Sequence, residues 1–491
     1  MPVDYKALKK DRAQEWRTGI RNKLNAKERV KIDRTKMPEN EPQVRNKNFN
    51  EVNIGLSEEE VRHEAARCLD CPTPTCISGC PVNINIPGFI KEIEKGEFLE
   101  AAKVLKRTNA LPAVCGRVCP QETQCEERCV YNKMNKIPVS IGALERFAAD
   151  FERNSGNISV PGIAEKNNIK VAIVGSGPAG LTVAGEMAKY GYDVTIFEAL
   201  HEYGGVLVYG IPEFRLPKEI VRTEINCLEK MGVTFVKNFI VGRTATFEDL
   251  KQEGFKAFFL ASGAGLPIFM NIPGENLINV YSSNEYLTRV NLMKAFRFPE
   301  YDTPIVRGKR VAVIGGGNTA MDSVRTALRL GADRAMIVYR RSEKEMPARI
   351  EEIHHAKEEG VEFLNLNNPI EYIGDSEGRV KQMKVQKMEL GEPDESGRRR
   401  PRPIQGSEYL IDVDTVVVGI GTSPNPLIPQ SLPELETTRW KTIVVDDKTM
   451  QTSIPEMYAG GDIVRGGATV ILAMGDGKIA AESMHKYLME Q

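Results

Sequence analysis

Cysteines are the residues of this 491-residue chain whose spacing most clearly predicts chemistry, since eight of the nine fall between residues 68 and 129. The ninth, Cys227, stands alone and is interpreted as a small buried apolar residue. In a reducing compartment, clustered thiols bind metal more often than they form disulfides. The two groups are Cys68-x2-Cys71-x4-Cys76-x3-Cys80-Pro81 and Cys115-x3-Cys119-Pro120-x5-Cys125-x3-Cys129.

The spacing favours iron–sulfur clusters over zinc, with disulfides a distant third alternative. Zinc sites usually use short CxxC pairs separated by a longer spacer. Four thiolates within thirteen residues that end in Cys-Pro instead resemble the bacterial ferredoxin run C-x2-C-x2-C-x3-C-P, whose fourth cysteine binds the other cluster. By that pattern Cys68, Cys71 and Cys76 begin one [4Fe–4S] cluster, and Cys80 belongs to a second.

A glycine-rich fingerprint follows a predicted strand at residues 171–174 and precedes a predicted helix. A second strand, 193–197, ends in Glu198, which is placed to accept a hydrogen bond from a ribose hydroxyl. Glycines here allow a tight turn, a close approach to pyrophosphate and close helix–strand packing. The pattern predicts a dinucleotide site of the FAD type, with the loop residues Gly175, Gly177, Pro178, Ala179 and Gly180.

A second fingerprint begins at residue 310, and its second strand ends in Arg340-Arg341 rather than in an acid. Guanidinium groups suit the 2′-phosphate of NADP, so the pattern favours NADPH over NADH. The alternative is that the two arginines only begin a polar loop. The loop residues are Gly315, Gly317, Asn318, Thr319 and Ala320.

Two dinucleotide sites on one chain would let hydride pass from a nicotinamide to a flavin. Residues 254–267 and 413–425 share an aliphatic strand with a Gly-rich exit, typical of paired crossings between a flavin domain and an inserted nicotinamide domain. The C-terminal sequence then predicts a strand that ends at Gly461-Asp462. A helix follows, and its N-terminus at 473–477 could point at the flavin.

Helices are expected to position the thiols. Ser57 and Glu60 form a capping box just before Cys68, and residues 86–108 carry apolar side chains at helical spacing. The first 50 residues hold 14 Lys/Arg against 7 Asp/Glu. This segment is interpreted as a solvated arm, with a docking surface for an acidic partner as the alternative. Residues 391–403 are expected to form a solvated hairpin loop.

Composition limits the function classes. Sixty-six Lys+Arg against 67 Asp+Glu give a net charge of −1, which offers no general field for nucleic acid or an anionic membrane. No apolar run approaches the roughly 18 residues that cross a bilayer. The N-terminal segment lacks the apolar stretch of a secretory signal. We therefore expect a soluble, cytoplasmic protein of about three domains.

Together, the cysteine pattern, GSGPAG, GIPEFRLPK (210–218), GGGNTAMD and AGGD…MGDGKIAAESM resemble the glutamate synthase small chain family over nearly the whole chain. The same architecture occurs in the large subunit of NADH-dependent ferredoxin–NADP oxidoreductase and in the N-terminal half of dihydropyrimidine dehydrogenase. The resemblance implies an α/β protein. An all-helical iron–sulfur domain (1–155) would precede two Rossmann-like domains, with the NADPH domain (303–417) inserted in the FAD domain (165–302 and 418–491).

The resemblance also implies two ligand sets, which differ from a count of four cysteines per cluster. Cys68, Cys71, Cys76 and Cys129 would bind one [4Fe–4S] cluster, and Cys80, Cys119, Cys125 and Glu145 the other, which leaves Cys115 without a cluster. The resemblance further places Asp462 near the ribityl–phosphate end of FAD, and Gly204-Gly205 beside that cofactor.

We expect an oxidoreductase that passes electrons from NADPH through FAD and the clusters to a partner subunit. The resemblance to the glutamate synthase small chain implies that the partner would be the larger FMN-containing subunit. This chain cannot make glutamate by itself, because it has no amidotransferase N-terminal cysteine and no FMN barrel. Two alternatives remain. One is pairing with a small flavin/[2Fe–2S] subunit, as in the ferredoxin–NADP oxidoreductases. The other is a non-catalytic metal-binding scaffold.

Overall fold

The computed structural model describes residues 3–395 and 397–491. Its N-terminal region is helical up to residue 155. The α-helices there are Tyr5–Arg12, Glu15–Lys23, Ala26–Arg29, Pro42–Arg45, Glu58–Ala66, Thr75–Ser78, Ile86–Lys95, Phe98–Lys106, Pro112–Val118 and Ile141–Ser155, with 3₁₀ turns at Gln121–Thr123 and Val130–Met134.

Local signals in the sequence explain the helices that carry the cysteine loops. The Ser57 side chain accepts a hydrogen bond from the Glu60 amide at 3.3 Å, and the Glu60 carboxylate accepts one from the Ser57 amide at 2.8 Å. This reciprocal cap starts Glu58–Ala66, the helix that precedes Cys68. The helix Ile86–Lys95 ends at Gly96, whose left-handed conformation lets the chain turn into the next helix. The predicted helices in this region are confirmed.

The basic N-terminal segment is packed against the rest of the protein rather than being a simple solvated arm. Arg17 and Arg21 both bind the fully buried carboxylate of Asp70, which lies in the first cysteine loop. Arg45 lies further along and binds Glu358 and Glu359 at 2.6 and 3.1 Å. Several of the basic residues counted in the sequence therefore hold the helical region together and bind it to the region of the second sheet.

A first parallel sheet has the strand order Met457–Ala459, Phe255–Leu260, Lys170–Val174, Asp193–Phe197, Thr234–Val236. One edge strand, Met457–Ala459, comes from the C-terminal part of the chain. The helices that follow or cover its strands are Pro178–Lys189, Val206–Tyr209, Lys218–Lys230, Phe247–Gln252, Asp462–Arg465 and Val470–Met489. The strands are nearly continuous apolar runs, as expected for a parallel sheet buried on both faces.

A second parallel sheet is built from the intervening residues. Its strand order is Val280–Ser282, Thr415–Val418, Arg310–Ile314, Arg334–Tyr339, Glu362–Asn365. Its α-helices are Ser283–Asn291, Asn318–Arg329 and Ile350–Glu358, with 3₁₀ turns at Ala295–Arg297 and Glu343–Glu345. The sheet therefore includes a strand that precedes residue 303, where the sequence placed the start of the inserted domain.

Two smaller antiparallel sheets complete the structure. One contains Asn367–Gly374, Val380–Pro393, Arg399–Pro403 and Tyr409–Asp412. It makes most of the expected hairpin loop at 391–403 part of a paired sheet. The other pairs Leu266–Pro267 with Thr422–Ser423 at the two predicted crossings, and the short helix Leu427–Ser431 follows. The overall architecture is a helical N-terminal region followed by parallel-sheet Rossmann-like domains. None of the described helices is long and apolar enough to span a membrane.

Candidate functional site

The first glycine-rich loop joins the strand Lys170–Val174 to the helix Pro178–Lys189. Gly175 has φ +103°, and a Cβ there would lie 2.5 Å from a neighbouring backbone carbonyl oxygen. A Cβ on Gly180 would lie only 2.1 Å from the Gly175 carbonyl oxygen. Gly177 is the N-cap, and a Cβ there would meet no atom within 4 Å. The loop is thus closed towards the protein and open towards a groove, as a phosphate cradle at a helix N-terminus requires.

Glu198 lies at the end of the second strand, where the sequence placed it, and its carboxylate also holds the loop. One oxygen accepts a hydrogen bond from the Ser176 amide at 2.9 Å, and the other accepts one from the Leu200 amide at 2.8 Å. The Ser176 hydroxyl in turn accepts a hydrogen bond from the Gly204 amide at 2.9 Å. Gly204 and Gly205 both have positive φ, and a Cβ on Gly205 would lie 3.0 Å from a backbone atom of the first loop. The two glycine loops therefore form one unit.

The C-terminal segment contributes Gly461 and Asp462 to the same groove. Asp476 fixes this segment, because its buried carboxylate accepts the Gly461 amide at 3.0 Å. Burial raises the pKa of Asp462 above its ordinary value. The following helix begins at Val470, capped by Thr469, so the expected N-terminus at 473–477 is wrong and these residues lie inside the helix.

The second glycine-rich loop joins the strand Arg310–Ile314 to the helix Asn318–Arg329. Gly315 has φ +137°, and a Cβ there would lie 2.2 Å from the carbonyl oxygen of Gly419 in the returning strand's exit. Gly317 is the N-cap of the helix, and Ala320 is fully buried at the helix–strand contact. This loop repeats the construction of the first one.

The two arginines after the strand Arg334–Tyr339 have different environments. Arg341 is buried, binds Asp394 at 2.7 Å and donates to the Arg399 carbonyl oxygen at 2.8 Å. Arg340 is exposed at the groove, where partial burial and the neighbouring charge of Arg341 lower its pKa. Arg398, on the same hairpin as Asp394, lines the groove as well. Crowded guanidinium groups of this kind favour a bound anion.

Both glycine loops open onto one groove with a volume of about 2080 Å³. Pockets for single drug-sized ligands measure roughly 300–1,000 Å³, so this groove has room for two dinucleotides. The cradles and the size of the groove fit FAD and NAD(P)H. Of the predicted nucleotide-binding residues, Gly180, Gly204 and Ala320 lie behind the groove, and those that line it are Gly175, Gly177, Pro178, Ala179, Glu198, Gly205, Gly461, Asp462, Gly315, Gly317, Asn318, Thr319, Arg340 and Arg341.

Four cysteine thiols lie together in one group formed by Cys68, Cys71, Cys76 and Cys129. Burial, and then the neighbouring sulfurs Cys68 and Cys129, raise the pKa of Cys71 to about 12. The pKa of Cys76 is raised well above its usual value for the same reasons. Thiols that raise one another's pKa are destabilised as thiolates unless a cation binds them, which fits a metal cluster. All nine cysteines are described, and none forms a disulfide.

A second group lies around a small cavity lined by Cys80, Cys115, Cys119, Cys125 and Glu145. Glu145, on the helix Ile141–Ser155, is 5% exposed, and burial raises its pKa to about 8. Within the described residues it forms no ion pair, and its hydrogen bond comes from the Asn109 side-chain amide at 2.8 Å. A buried carboxylate beside four thiols, without a protein cation, fits a metal ligand.

The helix Val470–Met489 separates the groove from this cavity. Val470 and Ala473 line the groove, whereas Ile471 lines the cavity. Met474 contacts Cys115, with 3.5 Å between the two sulfur atoms. One turn of a single helix therefore has the nucleotide groove on one side and the cysteine-rich cavity on the other.

Glu39, Glu351 and His355 form another group that could hold a metal ion, and all their donor atoms lie within 4.8 Å of one another. Both carboxylates, however, already bind guanidinium groups. Arg45 contacts Glu39 at 2.9 Å and Arg349 contacts Glu351 at 2.7 Å. His355 Nε2 lies 3.2 Å from the Glu39 carboxylate. These cations reduce the attraction of the group for a further cation, so we interpret His355 as an ordinary side chain.

Sequence reasoning missed several residues that support the site. Ser176 lies inside the fingerprint at a position that the motif leaves open, and Asp476 lies in the quoted MGDGK segment. Asn109, Asp394 and Arg398 act over long separations in the chain and carried no local signal that could have identified them.

Two family models match the chain. Residues 45–157 match dihydropyrimidine dehydrogenase domain II, 4Fe-4S cluster, and residues 169–477 match pyridine nucleotide-disulphide oxidoreductase. Among solved structures, Mycobacterium tuberculosis FprA in complex with NADPH aligns with a TM-score of 0.56 at 21% identity, covering 66% of this chain and 85% of that one. At this identity, the structural match supports the fold alone.

Relatives match over most of the chain. The glutamate synthase [NADPH] small chain of Azospirillum brasilense is 37% identical over 458 residues, covering 92% of this chain and 94% of the relative. That of Escherichia coli (strain K12) is 36% identical over 466 residues, covering 94% and 98%. The NADP(+)-dependent formate dehydrogenase subunit beta of Moorella thermoacetica is 38% identical over 441 residues, covering 85% of this chain and 60% of that subunit.

These matches agree with the two glycine cradles and the cysteine-rich helical region. The protein is an NAD(P)H-dependent flavoprotein oxidoreductase with FAD- and NAD(P)H-binding regions and a 4Fe-4S domain. The chain belongs to the glutamate synthase small chain-like family.

Proposed function

We propose that this chain takes electrons from NADPH and passes them through FAD and two [4Fe–4S] clusters to a partner subunit, in the manner of a glutamate synthase small chain in glutamate biosynthesis. The observation that carries the proposal is that one helix borders both sites. The helix Val470–Met489 lines the nucleotide groove and the cysteine-rich cavity within a single turn. A short route between the two sites is what electron transfer from a flavin to a cluster needs.

In this proposal the first sheet's glycine loop holds the FAD pyrophosphate, and Glu198 accepts a ribose hydroxyl hydrogen bond. Asp462 and Gly205 line the same groove beside this loop. The second loop holds the NADPH pyrophosphate, and Arg340 binds the 2′-phosphate. The FAD domain would comprise residues 165–302 and 418–491, and the NADPH domain 303–417 together with the strand Val280–Ser282, which pairs within the second sheet.

The proposed ligands of the first cluster are Cys68, Cys71, Cys76 and Cys129, and those of the second are Cys80, Cys119, Cys125 and Glu145. The groups that would be bound here supply a conversion from two-electron to one-electron transfer, because a flavin accepts a hydride and each cluster takes one electron. The residues of the chain contribute by holding these groups and by excluding water. The three thiols and the carboxylate of the second set all lie in buried positions, which supports that role.

The proposed partner is a larger, FMN-containing glutamate synthase subunit. Relatives of similar identity have other roles, and they include a formate dehydrogenase subunit and an NADPH-Fe(3+) oxidoreductase subunit. Purification of the native complex distinguishes the partners. An FMN-barrel amidotransferase supports glutamate synthesis, whereas a small flavin/[2Fe–2S] protein would replace that proposal with nicotinamide–ferredoxin exchange.

Cofactor analysis of anaerobically purified protein tests the electron-transfer proposal. We expect about eight iron atoms and one FAD per chain, and loss of the flavin absorbance on addition of NADPH. Cys125→Ser should lower the iron content by about half, because it removes one proposed cluster. Cys227→Ser, which changes the cysteine outside both groups, is the matched control. Zinc in place of iron, or a flavin that NADPH does not reduce, would refute the proposal and favour the scaffold alternative.

A further inference from the structure

We propose that Asn109 is a positioning residue for the second cluster. It holds Glu145 so that one carboxylate oxygen faces the cavity, and it keeps the competing thiol of Cys115 away. This inference rests on the proposed function, which makes Glu145 a cluster ligand. It goes further by naming the residue that sets how the carboxylate binds and why an available sulfur is not used instead.

The side chain of Asn109 is fixed at both ends. It is fully buried between the helices Phe98–Lys106 and Pro112–Val118. Its Oδ1 accepts a hydrogen bond from the Leu111 amide at 2.9 Å, which determines the direction of the Nδ2 group. Nδ2 then donates to Glu145 Oε1 at 2.8 Å. The donor is thus oriented by the local backbone before it meets the carboxylate, as preorganised ligand support requires.

This hydrogen bond makes the two carboxylate oxygens unequal. Oε1 is engaged by Asn109, so Oε2 is the oxygen with capacity for a metal in the cavity that Glu145 lines together with Cys80, Cys119 and Cys125. No ion pair to Glu145 occurs in the described ranges 3–395 and 397–491. A buried amide donor on the outer oxygen withdraws electron density from the ligand, and such hydrogen bonds tune the potential of a metal group.

Asn109 also contacts the sulfur that could replace Glu145. Cys115 lines the same cavity, so a cluster with four cysteine ligands is possible on composition alone. The Cys115 thiol, however, points to Asn109 Oδ1 at 3.7 Å and to Met474 Sδ at 3.5 Å. The Cys115 thiol also hydrogen-bonds with Cys119. One amide group therefore contacts the oxygen donor through its nitrogen and the sulfur donor through its oxygen.

The substitution Asn109→Asp tests this inference because it replaces the amide donor with a carboxylate oxygen of nearly the same shape, which adds a negative charge beside Glu145. An aspartate keeps an oxygen for Leu111 and Cys115 but cannot donate to Glu145 as a carboxylate. The matched control is Asn85→Asp. Asn85 accepts a hydrogen bond from the Gly88 amide at 3.1 Å and donates one to the Asp11 carboxylate at 3.3 Å in the same helical region, but its side chain bonds neither Glu145 nor Cys115. Both variants would be purified anaerobically as full-length protein with cofactors.

The readouts are iron content, the electron paramagnetic resonance spectrum of the reduced protein and a redox titration. The signal of the second cluster is identified by its absence in Cys125→Ser. We expect Asn109→Asp to retain about eight iron atoms, with an altered second-cluster signal. We also expect the ratio of reduced to oxidised second cluster at a given potential to be at least tenfold lower. This change corresponds to a reduction potential lower by about 59 mV for one electron. The first cluster and the Asn85→Asp protein should be unchanged.

Two results would overturn the inference in different ways. If Asn109→Asp has the wild-type spectrum and titration while Glu145→Ala alters the second cluster, Asn109 has no positioning role and the proposed function stands. If Glu145→Ala leaves the second cluster unchanged, the ligand assignment itself is wrong. If Asn109→Asp fails to incorporate iron, Asn109→Ser replaces it in the same measurements, since it removes the donor without adding a charge.

Discussion

Replacement of Arg340 by alanine should remove most of the preference for NADPH over NADH. Arg340 is exposed at the groove and forms no ion pair with the described residues, whereas Arg341 already binds Asp394 at 2.7 Å. A hydrogen bond to a charged group contributes about 1.5–3 kcal/mol, so Arg340→Ala should raise the KM for NADPH roughly 10- to 150-fold. The KM for NADH, which lacks the 2′-phosphate, should not change.

The predicted difference between the two arginines gives a sharper test. Arg341→Ala should cost less than Arg340→Ala, because Arg341 must be shared between the phosphate and Asp394. The assay is steady-state reduction of an artificial acceptor with each nucleotide. Arg379→Ala, an exposed arginine outside the groove, is the control. An NADPH-to-NADH ratio of KM values within twofold of wild type in Arg340→Ala would refute the placement of the 2′-phosphate.

Three further changes test other parts of the structure. Gly180→Ala should yield protein with little bound flavin, measured by absorbance, because its Cβ would lie 2.1 Å from the Gly175 carbonyl oxygen; full flavin content would contradict the proposed cradle. Burial raises the pKa of Glu224 to about 7, so the folded protein retains a proton that the unfolded chain loses near pH 4.5. The free energy of unfolding should therefore fall as the pH rises between these two values, by up to about 1.4 kcal/mol per pH unit. Glu224→Gln should flatten this slope in urea titrations, and an unchanged slope would show that another group causes it. Arg215→Met should destabilise the protein by about 3–5 kcal/mol, because it leaves Asp322, bound at 2.8 Å, buried without that partner; a loss below 1 kcal/mol in urea unfolding would contradict this expectation.

Local patterns were sufficient for the elements that surround the two glycine loops. The strand Asp193–Phe197 has the predicted bounds, and the capping box at Ser57 starts the predicted helix. These features depend on residues close in sequence, through turn geometry, alternation of apolar residues and helix capping. The crossings at 254–267 and 413–425 were recognisable because the two segments repeat one pattern, and the structure pairs their exits.

The start of the last helix was wrong for a specific reason. Glycine is a poor helix former, so Gly475 and Gly477 suggested the N-terminus of the helix rather than its interior. In the structure both lie within it, because they allow close packing. A Cβ on Gly475 would be 3.0 Å from Pro81, and one on Gly477 would be 2.7 Å from the Ala179 carbonyl oxygen. Tertiary contact here outweighs intrinsic propensity.

Side-chain pairings between distant segments were not predictable. Arg341 and Asp394 are separated by 53 residues, and Asn109 and Glu145 by 36. Nothing local marks either pair, since each depends on how separate elements pack. The ligand sets and the domain boundaries came from the family resemblance, and they remain proposals.

The position of the helix Val470–Met489 limits which insertions and deletions this protein can accommodate. An α-helix with its side chains is roughly 10–12 Å across, and this diameter limits the distance between the nucleotide groove and the cysteine-rich cavity. A deletion or insertion in residues 470–474 would rotate Ile471 and Ala473 away from their present sides together. The number of residues in this turn is therefore under a geometric constraint that surface loops do not have. The distance between the groove and the cavity is set by the helix and does not depend on loop motion.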